Sequence, residues 1–473
     1  MKNITDSGQL LIIITVFVVS RFILMLLGIH LDILALSAYW QYLDIETLRN
    51  HLLSGVWYDH AQPPLFNLFL GYVLKIGGTH YILIFDIILK LISLCNALLL
   101  FIIVKRLSTV FYMPILVALL YILSPATIIF EAELFYTSLV SLFLLISVFY
   151  LIRFTESDRW LNAFGIFFPI TLLCLTRSVY HMIWLFIIAA TLIFYFRRKA
   201  ALNKLILASL ISILLVGSWY VKNKLLFGKL TASTWVGMNM ARNVFHDNEV
   251  KDSSHIEAYE PFSRISVYRK FLDPEFENKF KGLNDRDLLQ EMKNDSFINE
   301  TEVSYIPVSE LYQKASMDFI RNHPGSYAQN IIQSSILFFT PGTLYSLAVG
   351  KAGKIKIYDL LYSFNLTIFA RDKKERRILL TISAMPKLIL YVFVFFMLAR
   401  ISLQTRSITP WNLFILITIG FVFVVSSFFE HYENMRFRFE TEPLFLILVA
   451  QVFSRLFSRF QIRRRAPIGD LIA

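Results

Sequence analysis

Residues 10–29 read LLIIITVFVVSRFILMLLGI, a run in which only Thr15, Ser20, Arg21 and Gly28 are not hydrophobic. A helix of about 20 apolar residues is long enough to cross a hydrocarbon core about 30 Å thick. The run is too long for the apolar region of a signal peptide, and no small-residue cleavage site follows it, so it predicts a retained first span. Similar runs at 81–104, 205–219 and 413–429 predict a polytopic helical membrane protein.

The composition excludes an ordinary soluble protein. Hydrophobic residues make up 56% of the 473 residues and charged residues only 17%, whereas a soluble domain carries about 25% charge. The two cysteines, Cys95 and Cys174, lie inside apolar runs, so neither a disulfide framework nor a zinc pattern is available. Nucleotide-binding, HExxH and serine-elbow motifs are missing from the sequence.

The net charge of +12 reflects topology. The basic residues cluster at the ends of apolar runs, where positive charge marks the cytoplasmic side. They form no basic stripe with interleaved aromatic residues, so we expect no nucleic-acid partner. Placing these clusters inside predicts a cytoplasmic N-terminus and about ten crossings; the clusters occupy 105–106, 153–159, 197–204, 400–406 and 463–465.

After the first span, the predicted crossings alternate across the membrane at 81–104, 109–125, 134–152, 160–176, 180–196, 205–219, 380–400, 410–429 and 443–460. Two further apolar stretches would break this alternation. The stretch 65–76 is too short to cross and predicts a dipping or interfacial helix. The stretch 331–347 is interrupted by Pro341-Gly342 and predicts a membrane-associated helix.

These features divide the chain into three parts. Residues 1–220 form an N-terminal transmembrane module with external loops at 30–80 and 124–133, and residues 380–473 hold the C-terminal helices and a basic cytoplasmic tail. Between them, 221–379 is an external loop with a membrane-associated helix near 328–347. Its polar block, 243–325, predicts a small folded cap with helices at Leu288–Ser296 and Ser309–Asn322.

The external segments carry carboxylates in apolar surroundings, where ionisable groups are costly and often functional. Asp44 lies in the first loop, and His60 and Gln62 precede Pro63-Pro64, which can start a helix. Glu131 and Glu133 follow in the next loop. As an alternative, these two acids only cap the following helix.

Five basic or imidazole groups lie at the predicted external ends of spans, where positive charge is disfavoured. Their placement indicates an anionic partner, because guanidinium groups bind phosphate in a bidentate manner. The alternative is that they form salt bridges with Glu131, Glu133 and Glu433. The residues are Arg177, His181, Lys222, Arg436 and Arg438.

Several local features together resemble a known family. Tyr42-Leu43-Asp44 places an acid in the first external loop, and His60-Ala61-Gln62-Pro63-Pro64-Leu65 is similar to an HPPL or KPPL motif. Acids in the second loop and a large loop after the seventh span complete the pattern over roughly 10–220. The chain thereby resembles the GT-C membrane glycosyltransferases of the family 39 type, which includes protein O-mannosyltransferases and aminoarabinose transferases.

The resemblance implies a GT-C-like bundle that moves a sugar from a polyprenyl-phosphate donor to a lipid, glycan or protein acceptor. The reaction would face the periplasm or exterior of a bacterial inner membrane. Asp44 would act as the base, Glu131 or Glu133 would assist, and the donor phosphate would be held by Arg177, Lys222, Arg436 and Arg438. A single displacement would invert the anomeric carbon.

Two departures from the family pattern leave the catalytic carboxylate open. Ile45 separates Asp44 from Glu46, and Gln62 stands where His or Lys is usual, so Asp32 and Asp59 remain alternatives. No organic cofactor is expected, and a divalent metal is left open.

Other classes of function remain alternatives. A lipid-linked sugar flippase or transporter would use Arg21, Asp86 and Lys90 inside spans, although Asp86 and Lys90 lie one turn apart and can pair with each other. The third alternative is an envelope scaffold protein. The enzyme interpretation requires carboxylates and guanidinium groups from distant parts of the chain to meet in one pocket.

Overall fold

The computed structural model describes residues 5–198, 201–245, 256–293, 296–345 and 349–465, apart from the side chains of 257, 349 and 459–465. The described residues are predominantly helical and contain no β-strand. Among these residues, β-type backbone pairing is limited to two isolated β-bridges, Asp32–Glu133 and Met292–Ile298. The end of the basic tail, 466–473, and Lys199 lie outside the described residues.

The helices of the first half are α1 (Asp6–Leu26), α2 (Ala35–Ala38), α3 (Ile45–Asn50), α4 (Leu52–Tyr58), α5 (Pro64–Gly77), α6 (Tyr81–Leu107), α7 (Met113–Leu123), α8 (Pro125–Glu131), α9 (Thr137–Glu156), α10 (Trp160–Thr176), α11 (Met182–Tyr195) and α12 (Leu202–Phe227). Those of the second half are α13 (Val236–Phe245), α14 (Asp285–Leu289), α15 (Tyr305–Asn322), α16 (Pro324–Phe339), α17 (Val349–Ala352), α18 (Lys356–Ser363), α19 (Lys373–Thr405), α20 (Pro410–Phe429) and α21 (Asn434–Arg465). Short 3-10 turns connect several of them.

The long apolar helices make this a polytopic helical membrane protein. Among the described residues, seven helical stretches are long and apolar enough to span a membrane: α1, α5–α6 together, α9, α12, α19, α20 and α21. The pair α7 and α8 gives an eighth but is bent by 55°. The helices α10 and α11 are apolar but have only 17 and 14 residues. Each predicted span falls on one of these helices, and the number of crossings stays a prediction.

The stretch α5–α6 is a hairpin, because Phe69 of α5 packs against Phe85 of α6 with ring centroids 5.8 Å apart. The chain reverses at Gly78, whose φ of 50° lies in the left-handed region that a residue without a Cβ adopts readily. Helix α5 begins at Pro64, as predicted. With 14 residues it is about 21 Å long, less than a hydrocarbon core.

Two helices extend beyond their predicted ends. Helix α12 continues to Phe227 and so contains Lys222, which was predicted to follow the span. Helix α21 begins at Asn434 rather than at 443 and therefore includes Arg436 and Arg438, which were assigned to a turn. The charged residues are tolerated in α21 because their ion pairs offset much of the cost of burial.

The polar block folds into a cap, defined here as the described residues of 235–322. Its apolar core includes Trp235, Tyr268, Tyr305 and Tyr312. The predicted helix at Ser309–Asn322 lies within α15 and is confirmed. The prediction at Leu288–Ser296 holds only for Leu288 and Leu289, the end of α14, and is wrong for 290–293.

The helix there ends early because side chains compete for the backbone. Helix α14 ends at Leu289, and the Asn299 amide donates to the carbonyls of Asp287 and Gln290 at 2.9 and 2.8 Å. Residues 294–295 lie outside the described residues.

The cap rests on the first loop, and we call this end of the bundle the cap end. His60 bonds to Thr234 and to the Thr301 carbonyl, and Arg286 of the cap pairs with Asp44. The Lys293 ammonium donates to the Tyr39 carbonyl at 2.8 Å. These contacts join segments about 240 residues apart in sequence.

Candidate functional site

A cavity of about 260 Å³ opens at the cap end of the bundle. Charged groups from four separate parts of the chain reach it, with apolar and aromatic side chains between them. Its lining is formed by Asp32, Leu34, Ala35, Ala38, Tyr39, Trp40, Gln41, Glu133, Arg242, Tyr345 and Glu433. We call it the cap-end cavity. Carboxylates and a guanidinium group from distant segments share this pocket, but the three residues that the enzyme interpretation brought together, Asp44, Glu131 and Arg436, do not line it.

Asp32 follows directly on the first membrane helix and is held at the cavity by its backbone. Its amide donates to the Ala132 carbonyl at 3.1 Å, which joins the segment after α1 to the segment after α8. One carboxylate oxygen accepts from the Leu34 amide at 2.9 Å, and the other lies 4.0 Å from the Lys351 ammonium. The side chain is 45% exposed, so this carboxylate is oriented but accessible.

Glu133 pairs with Asp32 in an isolated β-bridge and lines the same cavity. Its side chain is almost fully enclosed, with 2% exposed. The Tyr39 hydroxyl donates to one oxygen at 3.0 Å, and the Lys351 ammonium donates to the other at 2.7 Å. Burial raises the pKa of Glu133, and Lys351 opposes that shift. Glu133 thus fixes Tyr39 and Lys351 around Asp32.

One guanidinium group lines the cavity, Arg242 of the cap, and a second, Arg436 of α21, lies next to two lining residues. Arg242 of α13 pairs with Glu430 at 3.2 Å and lies over the Trp40 ring. Arg436 is buried beside the lining residue Tyr345 and pairs with Glu433. Its Nε and Nη1 make no hydrogen bond, and Nη1 lies 4.0 Å from Glu440. Two donors of Arg436 are therefore buried without a hydrogen-bond partner, which is costly in a folded protein.

Asp44, the predicted base, lies outside the lining of this cavity. Its carboxylate caps α3 by accepting from the Glu46 amide at 3.0 Å. The same oxygen lies 3.2 Å from the Arg286 guanidinium of the cap. The geometry gives Asp44 a role in joining the first loop to the cap.

Glu131 points away from the cavity and is bound to the first helix. Arg21 holds both of its oxygens, with the closest contact at 2.7 Å, and also donates to the Ile122 carbonyl at 2.6 Å. Both side chains are buried. The pairing also occupies Arg21, one of the groups that the transporter alternative required, and Lys90 pairs with Asp86.

His60, Gln62 and Lys222 gather around Asp59 beneath the cap. The Asp59 carboxylate accepts from the amides of Ala61 and Gln62 at 2.8 and 3.1 Å, and burial raises its pKa. The Lys222 ammonium donates to the Asp59 carbonyl at 2.6 Å. All four residues are buried away from the cap-end cavity lining, in a packed junction between the first loop, α12 and the cap.

His60 is neutral in this junction. Burial lowers its pKa to about 3. Its Nε2 donates to the Thr301 carbonyl at 3.0 Å, and its Nδ1 accepts from the Thr234 hydroxyl at 2.7 Å. This tautomer is assigned from the carbonyl, which can only accept.

The three remaining predicted ligands also have protein partners. Arg177, at the end of α10, pairs with Glu440 of α21 and lies over the Phe437 ring. Arg438 pairs with Glu442. His181 caps α11, where its Nδ1 accepts from the Ile183 amide at 3.3 Å. Arg177 and Arg438 therefore form salt bridges, but with Glu440 and Glu442 rather than with the predicted acids. Of the predicted partners, Glu433 pairs with Arg436.

Sequence reasoning missed Lys351, Tyr39 and Arg242 as groups at the cavity. For Asp32 there was a signal, since it is the first acidic residue after the first span. Lys351 and Arg242 lie in the long polar segment, where nothing in the local pattern distinguishes them. In the described part of the chain, no group of three or more His, Cys, Asp or Glu side chains is arranged to hold a metal ion.

Comparison with protein-family models, with curated proteins and with solved structures finds no match to this chain. The GT-C resemblance therefore remains a resemblance of local motifs and layout, and the function is argued from the cavity.

Proposed function

We propose that the protein is a membrane glycosyltransferase that uses the cap-end cavity to move a sugar from a polyprenyl-phosphate donor to an acceptor. One observation carries the proposal: an oriented, accessible carboxylate, Asp32, lines a cavity together with Glu433, whose ion-pair partner Arg436 is a buried guanidinium with two unmade hydrogen bonds. Glycosyl transfer needs a base near the attacking group and a cation at the leaving phosphate.

Asp32 takes the role that the resemblance gave to Asp44. The acceptor hydroxyl or amine attacks the anomeric carbon and gives its proton to the Asp32 carboxylate. The bond between that carbon and the phosphate oxygen breaks, and its electron pair leaves with the polyprenyl phosphate. Arg436 stabilises the phosphate, while Lys351 and Glu133 hold Asp32 in place. A single displacement inverts the anomeric configuration.

The position of the cavity suits a lipid-borne donor. It lies at the end of the apolar helices, beside the junction of α1, α8 and α13, so that a phosphate at the membrane surface reaches Arg436 while the isoprenoid chain stays in the bilayer. We propose that the cap end faces the periplasm or exterior, as the basic clusters at the opposite helix ends indicate.

The test uses purified protein in sealed vesicles with a panel of radiolabelled polyprenyl-phosphate sugars and candidate lipid, glycan and peptide acceptors. We expect label in a covalent product of inverted configuration, with release of polyprenyl phosphate. Label that accumulates inside the vesicles in unmodified donor would instead establish the transporter alternative. A product of retained configuration would rule out the single displacement.

A further inference from the structure

A second cavity, of about 530 Å³, lies on the other side of the segment that walls the cap-end cavity. Tyr345 of this segment faces the cap-end cavity, whereas Thr343 and Leu344 face the second one. The rest of the lining comes from the end of α17 and the residue after it, from α18, from the segment between α18 and α19, and from the start of α19. We call it the α18–α19 cavity.

A buried carboxylate with an open acceptor lines this cavity. Asp359 is 1% exposed, and its Oδ2 accepts from the Thr343 hydroxyl and from the Asn365 amide. Its Oδ1 has no hydrogen-bond partner. Leaving a buried acceptor unsatisfied is costly, and more so when it is charged. The carboxylate is thus placed to receive a donor from a molecule in the cavity.

The rim of the cavity is basic. Lys356, Arg371, Lys373 and Arg376 line it and are exposed, and none of them forms an ion pair within the described part of the chain. The last two lie in the first turn of α19, where Asp372, an acidic residue of the same lining, caps the helix by accepting from the Glu375 amide at 2.7 Å. Arginine and lysine at a helix start form a typical site for a phosphate group.

An apolar surface flanks the basic rim. Ile357 and Leu361 of α18 are 66% and 81% exposed, and Phe364 and Phe369 continue the exposed apolar surface. The neighbouring face of α18 is fixed to a membrane helix, because Tyr358 and Tyr362 donate to carbonyls near the end of α7. A short amphipathic helix held at the end of a membrane span lies at the level of the lipid headgroups.

We propose that the α18–α19 cavity binds the headgroup of a zwitterionic glycerophospholipid that ends in an ammonium group, such as phosphatidylethanolamine. The phosphate contacts Arg371, Lys373 and Arg376, and an ammonium N–H donates to Asp359 Oδ1. The acyl chains lie against Ile357 and Leu361. A choline headgroup has no N–H to donate. Its phosphate therefore contacts the basic rim, but Asp359 Oδ1 stays without a hydrogen-bond donor. The site is separate from the proposed transfer reaction.

The test measures retained lipid by native mass spectrometry of the full chain in detergent, titrated with phosphatidylethanolamine or phosphatidylcholine. We expect wild type to retain one phosphatidylethanolamine at a lipid concentration at least tenfold below that needed for phosphatidylcholine. Arg376→Gln should lose this retention for both lipids. Asp359→Asn should remove the preference between the lipids while keeping weak binding. Lys374→Gln, a neighbouring exposed residue outside the lining, is the matched control and should bind as wild type does.

Three outcomes would overturn the site. These are equal retention of both lipids by wild type, equal loss of binding in Lys374→Gln and Arg376→Gln, and displacement of the lipid by polyprenyl phosphate at equimolar concentration. The lipid comparison in wild type needs no variant to fold. Lipid retention also requires no catalytic turnover. The test of the lipid site therefore succeeds or fails independently of the test of sugar transfer.

Discussion

The guanidinium of Arg21 contacts both oxygens of Glu131, and this pair joins α1 to α8. Removing one member of a buried ion pair leaves the other charge uncompensated, which costs about 3–5 kcal/mol, whereas replacing both by apolar residues is often neutral. We therefore expect Arg21→Met to lower the thermal unfolding midpoint in detergent strongly. The double variant Arg21→Met with Glu131→Leu should recover most of that stability and retain transfer. A stable double variant without transfer would show that Glu131 takes part in the chemistry.

His60 gives the junction under the cap a dependence on pH. Its pKa is lowered to about 3 by burial, against about 6.5 in an unfolded chain. The unfolded state therefore binds the extra proton first, so stability is complete above pH 6.5 and is lost as the pH falls toward 3. At pH 5 the loss is about 2 kcal/mol.

The variant His60→Gln cannot titrate and should lack this part of the acid sensitivity. We expect its unfolding midpoint to change less than that of wild type between pH 7.5 and pH 5. His80→Gln, at an exposed position, serves as the control. If the unfolding midpoint of His60→Gln changed with pH as much as that of wild type, His60 would not be the titrating group.

At the scale of single helices, the cap depends on a close approach between α13 and α15. A Cβ built on Gly237 would lie 1.8 Å from the Ser309 carbonyl oxygen. Gly237→Ala must push the two helices apart, which typically costs about 1–3 kcal/mol. Because α13 also carries Arg242, we expect a lower unfolding midpoint together with weaker transfer.

Gly325→Ala in α16 is the matched control, because nothing lies within 4 Å of its added Cβ. This variant should be neutral or stabilised by up to about 1 kcal/mol, the usual gain in helix propensity. If both variants unfolded alike, the close packing at Gly237 would not be a constraint on the cap.

The apolar helices themselves could be predicted from sequence, since an apolar run reports directly on burial in lipid. The start of α21 could not be predicted from sequence. Its first turns carry Arg436, Arg438 and Glu440, and without their partners these charged residues indicate a polar turn rather than a buried helix. The partners Glu433, Glu442 and Arg177 neutralise them, and one of these lies about 260 residues away. Local hydropathy does not contain that information.

At the scale of the whole molecule, the sequence predicted the apolar helices and a folded polar block between them, while the number of crossings stays a prediction. The pairing between these parts did not follow from the sequence. Asp44 looked catalytic because it is an acid in the first loop, but the cap supplies Arg286 to it. Asp32 was open as an alternative and is placed at the cavity by a single backbone bond to Ala132. Contacts across about 100 residues decide which carboxylate faces the cavity.

The most direct test of the central claim compares Asp32→Asn with Asp44→Asn in the same transfer assay, at matched folded protein. Both substitutions remove one carboxylate from the first loop and keep the side-chain shape. We predict that Asp32→Asn lowers the rate of sugar transfer at least a hundredfold, as expected for loss of a general base, while Asp44→Asn retains transfer within about threefold of wild type. Full activity in Asp32→Asn, or loss of transfer only in Asp44→Asn, would contradict the assignment of the cap-end cavity as the site of reaction.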